Sequence, residues 1–229
     1  MRDLQRLDLS AYVRGLAVYA RNPIVALPPL VAALVQLFIN PILGNMIFSG
    51  LIAWLLQGFG LSVAIIIADL GWRRGRAAFD TAWDEARRKA PDILMATLGY
   101  GFVLFAAGLV GGMIGSLGVI LVAIAAGALI YTLPAAAIGG IPGGAALQIS
   151  VERARSNPAA TLVLAVVVLV VYFAITVGAA GPVREAITNA TQSDLAASIA
   201  VAALEAVAFG YIAIVLAKVY GDISYGRRY

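Results

Sequence analysis

Apolar residues gather into six long blocks, at 24–40, 48–70, 93–113, 117–138, 159–180 and 195–219. Each approaches the length of about 20 residues that an α-helix needs to cross the hydrocarbon core of a bilayer. The blocks are continuous and do not alternate with period two, so they do not read as strands of a membrane barrel. In lipid an isolated strand would leave its backbone groups unpaired, whereas a helix pairs them internally. The pattern therefore predicts an all-α integral membrane protein, one polytopic domain over residues 1–229 with six spans.

The polar positions between the blocks repeat. YARNP (19–23), ARRKAP (86–91) and ARSNP (154–158) each place basic residues and then a proline directly before an apolar block. Pro23, Pro91 and Pro158 are 68 and 67 residues apart, and Phe38, Phe105 and Phe173 follow them by 15, 14 and 15 residues. The dozen residues before each proline are amphipathic at helical spacing. Leu9, Val13, Leu16, Ala17 and Ala20 share one face; Phe79, Ala82, Trp83 and Ala86 share another; Leu147, Val151 and Ala154 a third. Such segments suit helices lying in the membrane interface. Proline disfavours helix for the residue before it and fits the first turn of the next helix. The expectation is three parallel hairpin repeats, approximately 1–70, 71–138 and 139–229, each led by a cytoplasmic-side amphipathic helix.

Charge sets the direction. Fifteen of the sixteen Lys and Arg residues fall before the first block, in the 71–92 and 139–158 connections, or at the C-terminal end; the sixteenth, Arg184, falls on the alternate side. The positive-inside rule then places both termini in the cytoplasm, at an inner membrane. Composition agrees: 62% of residues are hydrophobic, 12% are charged, and mean hydropathy is +0.95. The first two dozen residues are too charged for a secretory signal, so the first block is expected to remain as a span. The basic residues flank apolar blocks as anchors do, which argues for anionic lipid headgroups as partners and against nucleic acid. Candidate headgroup contacts are Arg14, Arg21, Arg87, Arg88, Lys89, Arg153 and Arg155.

With no His and no Cys, the usual zinc sites, thiol nucleophiles and His-based triads are excluded. No catalytic, cofactor or metal site is expected. Glu205 is the one carboxylate well inside a block. A charge there costs about 2.5–3.5 kcal/mol on insertion scales, so the group faces the bundle interior or carries a proton. Gln36, Tyr100, Tyr131 and Tyr172 are its candidate partners. Asp69 and Asp222 sit at the inner ends of the second and sixth spans, each followed three residues later by an aromatic and then by arginines. Local ion pairs account for them. Gly108/Gly112 and Gly111/Gly115 form two small-xxx-small pairs that would let the third span approach a neighbour closely. GGIPGG (139–144) reads as a flexible exit from a span, since it lacks the Lys-Ser/Thr of a phosphate loop. Pro134 reads as a simple kink.

YARNP and ARSNP before spans, LPAAAIGG closing the fourth span, ALQISVERARSNP after it, and AKVYGDISYG at the end of the last give the chain a family likeness. It resembles a broad group of prokaryotic six-span membrane proteins that includes the membrane domain attached to some glycerophosphodiester phosphodiesterases. The resemblance covers most of the chain and implies a six-span fold. It carries over no catalytic residue, because that chemistry belongs to a separate soluble domain. The expected role is non-enzymatic: scaffolding, assembly or lipid association, as a homo-oligomer or with a membrane protein partner. The alternative is an ion- or small-solute transporter or channel with Glu205 as its proton or cation site, which Glu205-dependent flux would distinguish.

Overall fold

The structure, a computed structural model, describes residues 8–43, 47–115 and 118–226, and every regular element within them is helical. Arg2, Arg6, Arg227 and Arg228 of the basic set, and residues 44–46 and 116–117 of two uncharged loops, lie outside the described residues. In chain order the helices are α1 (Ser10–Arg21), α2 (Leu27–Leu43), α3 (Ile47–Arg74), α4 (Phe79–Arg88), α5 (Ala90–Met113) and α6 (Gly118–Ala128). They continue with α7 (Thr132–Ala137), α8 (Gly143–Ser156), α9 (Pro158–Phe173), α10 (Ala180–Thr191) and α11 (Asp194–Tyr225).

Five helical stretches are long and apolar enough to cross a membrane: Ser49–Arg74, Ala90–Met113, Gly118–Ala137, Pro158–Thr191 and Asp194–Tyr225. A sixth is reached if Ser10–Arg21 and Pro23–Ile39, bent by 93° at their junction, count as one broken span. By helix length and hydropathy this is a multi-pass helical membrane protein.

Several boundaries move from where the apolar blocks end. The first block opens not as an α-helix but as a 3-10 turn, Pro23–Ala26, and α2 starts at Leu27. Pro28 and Pro29 then fall in its first turn, where backbone N–H groups have no intrahelical partner and proline loses nothing. The second and sixth blocks run on as helix to Arg74 and Tyr225. The fifth block was expected to stop near residue 180. It continues instead as α10 to Thr191, through a π-helical stretch at Ala174–Ala179 that includes a back-bond from the Thr176 hydroxyl to the Tyr172 carbonyl at 2.8 Å. Side chains bonded into the backbone in this way bend a helix without ending it.

Inner and outer helices are distinct. In α3 and α11, 56% and 50% of the most apolar stretch is buried, against 6% for Pro158–Thr191. Residues Ser62–Gly71 of α3 are buried on every side, as are Ile212–Gly221 of α11, which is the signature of a helix surrounded by protein. These segments lie toward the ends that carry Arg73, Arg74 and Lys218, called the basic end below. The core there joins Ile65, Ile66 and Ile67 to Tyr131, Ala135–Ala137, Ile214 and Tyr220. At the opposite end Phe102, Phe105, Met113, Val119 and Val177 are exposed, an apolar surface suited to lipid.

The packing order is cyclic. α3, α7 and α11 contact one another at the centre. α2 packs on α3 and α11, α5 on α3 and the α6–α7 pair, and α9 on α11 and α6. Around the basic end α1 packs on α11, α4 on α3, and α8 on α5 and α7. The α1–α11 contact joins the two ends of the chain: the Tyr211 hydroxyl donates to the Tyr12 carbonyl at 3.0 Å, 199 residues away in sequence.

Candidate functional site

The polar groups of the interior concentrate at the basic end, beginning with the residues just before two of the prolines. Asn22 and Asn157 adopt nearly the same backbone conformation, φ −132°, ψ 58° and φ −136°, ψ 60°. Each amide side chain donates back to the carbonyl four residues earlier, Val18 at 3.0 Å and Arg153 at 3.2 Å. Both asparagines are buried. Asn22 goes further: it donates to the Gly75 carbonyl at 3.1 Å and accepts from the Ala77 N–H at 2.9 Å, tying the α1–α2 corner to the α3–α4 connection. In ARRKAP the residue before the proline is Ala90, and the preceding helix closes on Lys89 instead, whose ammonium donates to Glu85 and to the Ala137 carbonyl, both at 2.7 Å. A cation therefore caps the C-terminal end of α7, the favourable end for positive charge.

A second cluster joins α1 to α11. Lys218 is buried at 3% exposure, donates to both carboxylate oxygens of Asp222 at 2.6 and 2.5 Å, and lies 5.8 Å from the centre of the Trp72 ring. Trp72 in turn donates its indole N–H to the Ile214 carbonyl at 3.0 Å. Just before α1, Asp8 pairs with Arg14 and accepts from the Ser10 hydroxyl at 2.5 Å. The Ser10 hydrogen bond holds the Asp8 carboxyl below the usual carboxylate range; burial opposes it, and the nearby Arg14 guanidinium lowers it further. Asp8, Tyr12 and Asp222 share a cavity of about 20 Å³, room for one water. Asp69 forms its local pair with Arg73, as its spacing suggested, whereas Asp222 uses Lys218.

The third feature is a break within a span. Pro134 has no N–H and its ring excludes a regular helix four residues earlier. The chain accordingly leaves the helix after Ala128 and resumes at Thr132. Ser150 of α8, fully buried, fills the break: its hydroxyl donates to the Ala128 carbonyl at 2.9 Å and accepts from the Tyr131 N–H at 3.0 Å. Broken membrane helices persist where neighbouring side chains satisfy the freed groups in this way. The Tyr131 hydroxyl is in turn 3.1 Å from the Thr161 hydroxyl. The simple kink expected at Pro134 is thus a bridged break.

The residues singled out in the sequence are not brought into one site. Glu205 is partly buried on α11, and no hydrogen bond to its carboxylate occurs among the described residues. Gln36 accepts instead from the Gln57 amide at 3.3 Å. Tyr100 stacks on Trp54, Tyr131 takes Thr161, and Tyr172 packs on Phe209, one turn from Glu205. Of the glycines, Gly111 meets the Gly118 backbone so closely that a Cβ on either would clash, which fixes the α5–α6 hairpin; Gly108 and Gly112 are exposed. Gly115, at φ +65°, lies beyond the end of α5. GGIPGG is a packed corner and not a flexible exit. A Cβ on Gly143 would stand 2.5 Å from the Asp92 carbonyl, and the Gly143 N–H donates to the Asp92 carboxylate at 3.2 Å. Arg14, Arg21, Arg87, Arg88 and Arg155 are exposed, while Lys89 and Arg153 are half-buried.

Asn22, Asn157, Ser150 and Lys218 are among the interior polar residues that sequence reasoning passed over. An asparagine before two of three prolines and a lone lysine inside an apolar block were the available signals; nothing local marked Ser150. These groups hold helices together and present no nucleophile beside a base. Among the described residues no three His, Cys, Asp or Glu side chains come together as a metal site. No family model, curated protein or solved structure matches the chain.

Proposed function

We propose that this is a non-catalytic six-span protein of the cytoplasmic membrane, both termini inside, that associates with anionic lipid and organises that membrane face or a partner within it. The observation that carries the reading is the orientation of α1. Leu9, Val13 and Leu16 are 62%, 71% and 56% exposed, so the helix turns its apolar stripe away from the protein. It is held to α11 by its other side, through Ala11, Gly15 and Tyr12. An apolar stripe pointing outward beside Arg14 and Arg21 fits the headgroup–acyl boundary of a bilayer.

The same reading takes the chain as three parallel hairpin units. The cyclic packing supports it, each outer helix lying against the inner helix of its own unit and against that of the unit before. The α1–α11 contact is the informative one, because chain continuity does not impose it. The matched Asn22 and Asn157 corners support it as well.

Reconstituted protein is expected to enrich phosphatidylglycerol over phosphatidylcholine in its lipid annulus, read by energy transfer from tryptophan to pyrene-labelled lipid. At low salt each well-placed basic residue contributes about 1 kcal/mol, or about fivefold. The preference should collapse near 1 M salt, where the screening length falls to about 3 Å, and shrink when Arg14, Arg21, Arg87, Arg88 and Arg155 are all changed to glutamine. A preference indifferent to both salt and these substitutions would sink the proposal.

A further inference from the structure

A groove of about 310 Å³ runs between α2 and α3, walled by Val31 and Val35 on one side, Leu56 and Phe59 on the other, and closed by Phe79 and Trp83 of α4. Its floor is made by small residues, Ala32 and Gly60. The α2 wall extends from Leu27 to Val35, about 12 Å of helix. No polar side chain lines it. Trp83 is 43% exposed and stacks along Phe79 and edge-on to Phe59.

We infer that this groove holds one acyl chain of a phospholipid from the leaflet at the basic end, with the phosphate toward Arg87. The size selects the occupant. A partner helix is about 10–12 Å across and would rest on the rim of the groove, whereas an extended hydrocarbon chain is narrow enough to enter it. The chemistry agrees, since an all-carbon lining offers nothing to the backbone of an inserted peptide. Charge then sets the polarity of the lipid. Arg87 follows Trp83 by four residues on α4 and is its neighbour on the helix surface; it is exposed. A tryptophan between an apolar groove and an arginine matches the boundary between acyl chain and headgroup.

The inference rests on the lipid-associated reading and adds a discrete site to it. Protein equilibrated with phosphatidylglycerol and exchanged into detergent is examined by native mass spectrometry. Wild type is expected to keep one phospholipid per chain. Val31→Trp on α2 and Leu56→Trp on α3, each placing a ring in the groove, are expected to reduce the lipid-bound fraction at least fivefold. Val119→Trp, on an exposed face of α6, should leave it unchanged, and circular dichroism is expected to give all three the helix content of wild type. A wild type that carries no lipid, or groove-filled variants that retain as much as Val119→Trp, would overturn the assignment. Equal retention of phosphatidylcholine supports the groove and counts against the anionic preference, so the two proposals fail separately.

Discussion

Replacing Ser150 with alanine is expected to destabilise the protein by about 2 kcal/mol, within the range of about 1–3 kcal/mol for an orphaned buried polar group. The substitution removes one hydroxyl and orphans two backbone groups, the Ala128 carbonyl and the Tyr131 N–H. Interhelical hydrogen bonds in membranes average only about 0.6 kcal/mol, because the reference state finds other partners. Here alternatives are scarce: Tyr131 and Ser150 are fully buried, and Pro134 prevents the helix from closing on itself. SDS-induced unfolding measures the effect, with Ser156→Ala, on the exposed side of the same helix, as reference. Ser150→Thr retains the hydroxyl and should recover part of the loss. If Ser150→Ala unfolds together with Ser156→Ala, the break is not held by this bridge.

Asn22→Ala is expected to cost more, about 2–4 kcal/mol, because three hydrogen bonds of one buried side chain are lost and the Gly75 carbonyl and Ala77 N–H lose their partner. Asn157→Ala, with one such bond to Arg153, should cost about 1 kcal/mol. The ordering matters more than either value. Both corners share a backbone conformation, so a proline-junction effect alone would make the two substitutions equal. Equal midpoints in the same unfolding assay would show that the link to the α3–α4 connection contributes nothing.

What could be read from the chain follows the range of the interactions concerned. Apolar blocks and prolines are local signals, and they located the long helices and corners to within a few residues, except at the start of the first block and at 181–191. At 181–191 Arg184, Glu185 and Asn189 read as loop, yet α10 packs along α11 and Arg184 donates to Ser198 at 3.3 Å. Asp69 with Arg73 was legible because the pair lies within one turn. Ser150 was not, since its partners lie about 20 residues earlier and became available only through the break at Pro134. Gln36 takes Gln57 across the first hairpin, a register that composition does not reveal. GGIPGG looked flexible because glycine is permissive, but Gly143 is glycine because Asp92 and Met95 stand where a side chain would go.

The claim on which the rest depends is that the three basic connections share one side of the membrane. The chain has no cysteine, so single cysteines placed at exposed positions report without background. Ile114→Cys and Asn189→Cys at one end, and Arg76→Cys and Ser156→Cys at the other, are exposed to a membrane-impermeant maleimide in intact cells and after permeabilisation. Labelling of the first pair in intact cells, and of the second pair only after permeabilisation, is the predicted result. Labelling of Arg76→Cys or Ser156→Cys in intact cells would contradict it.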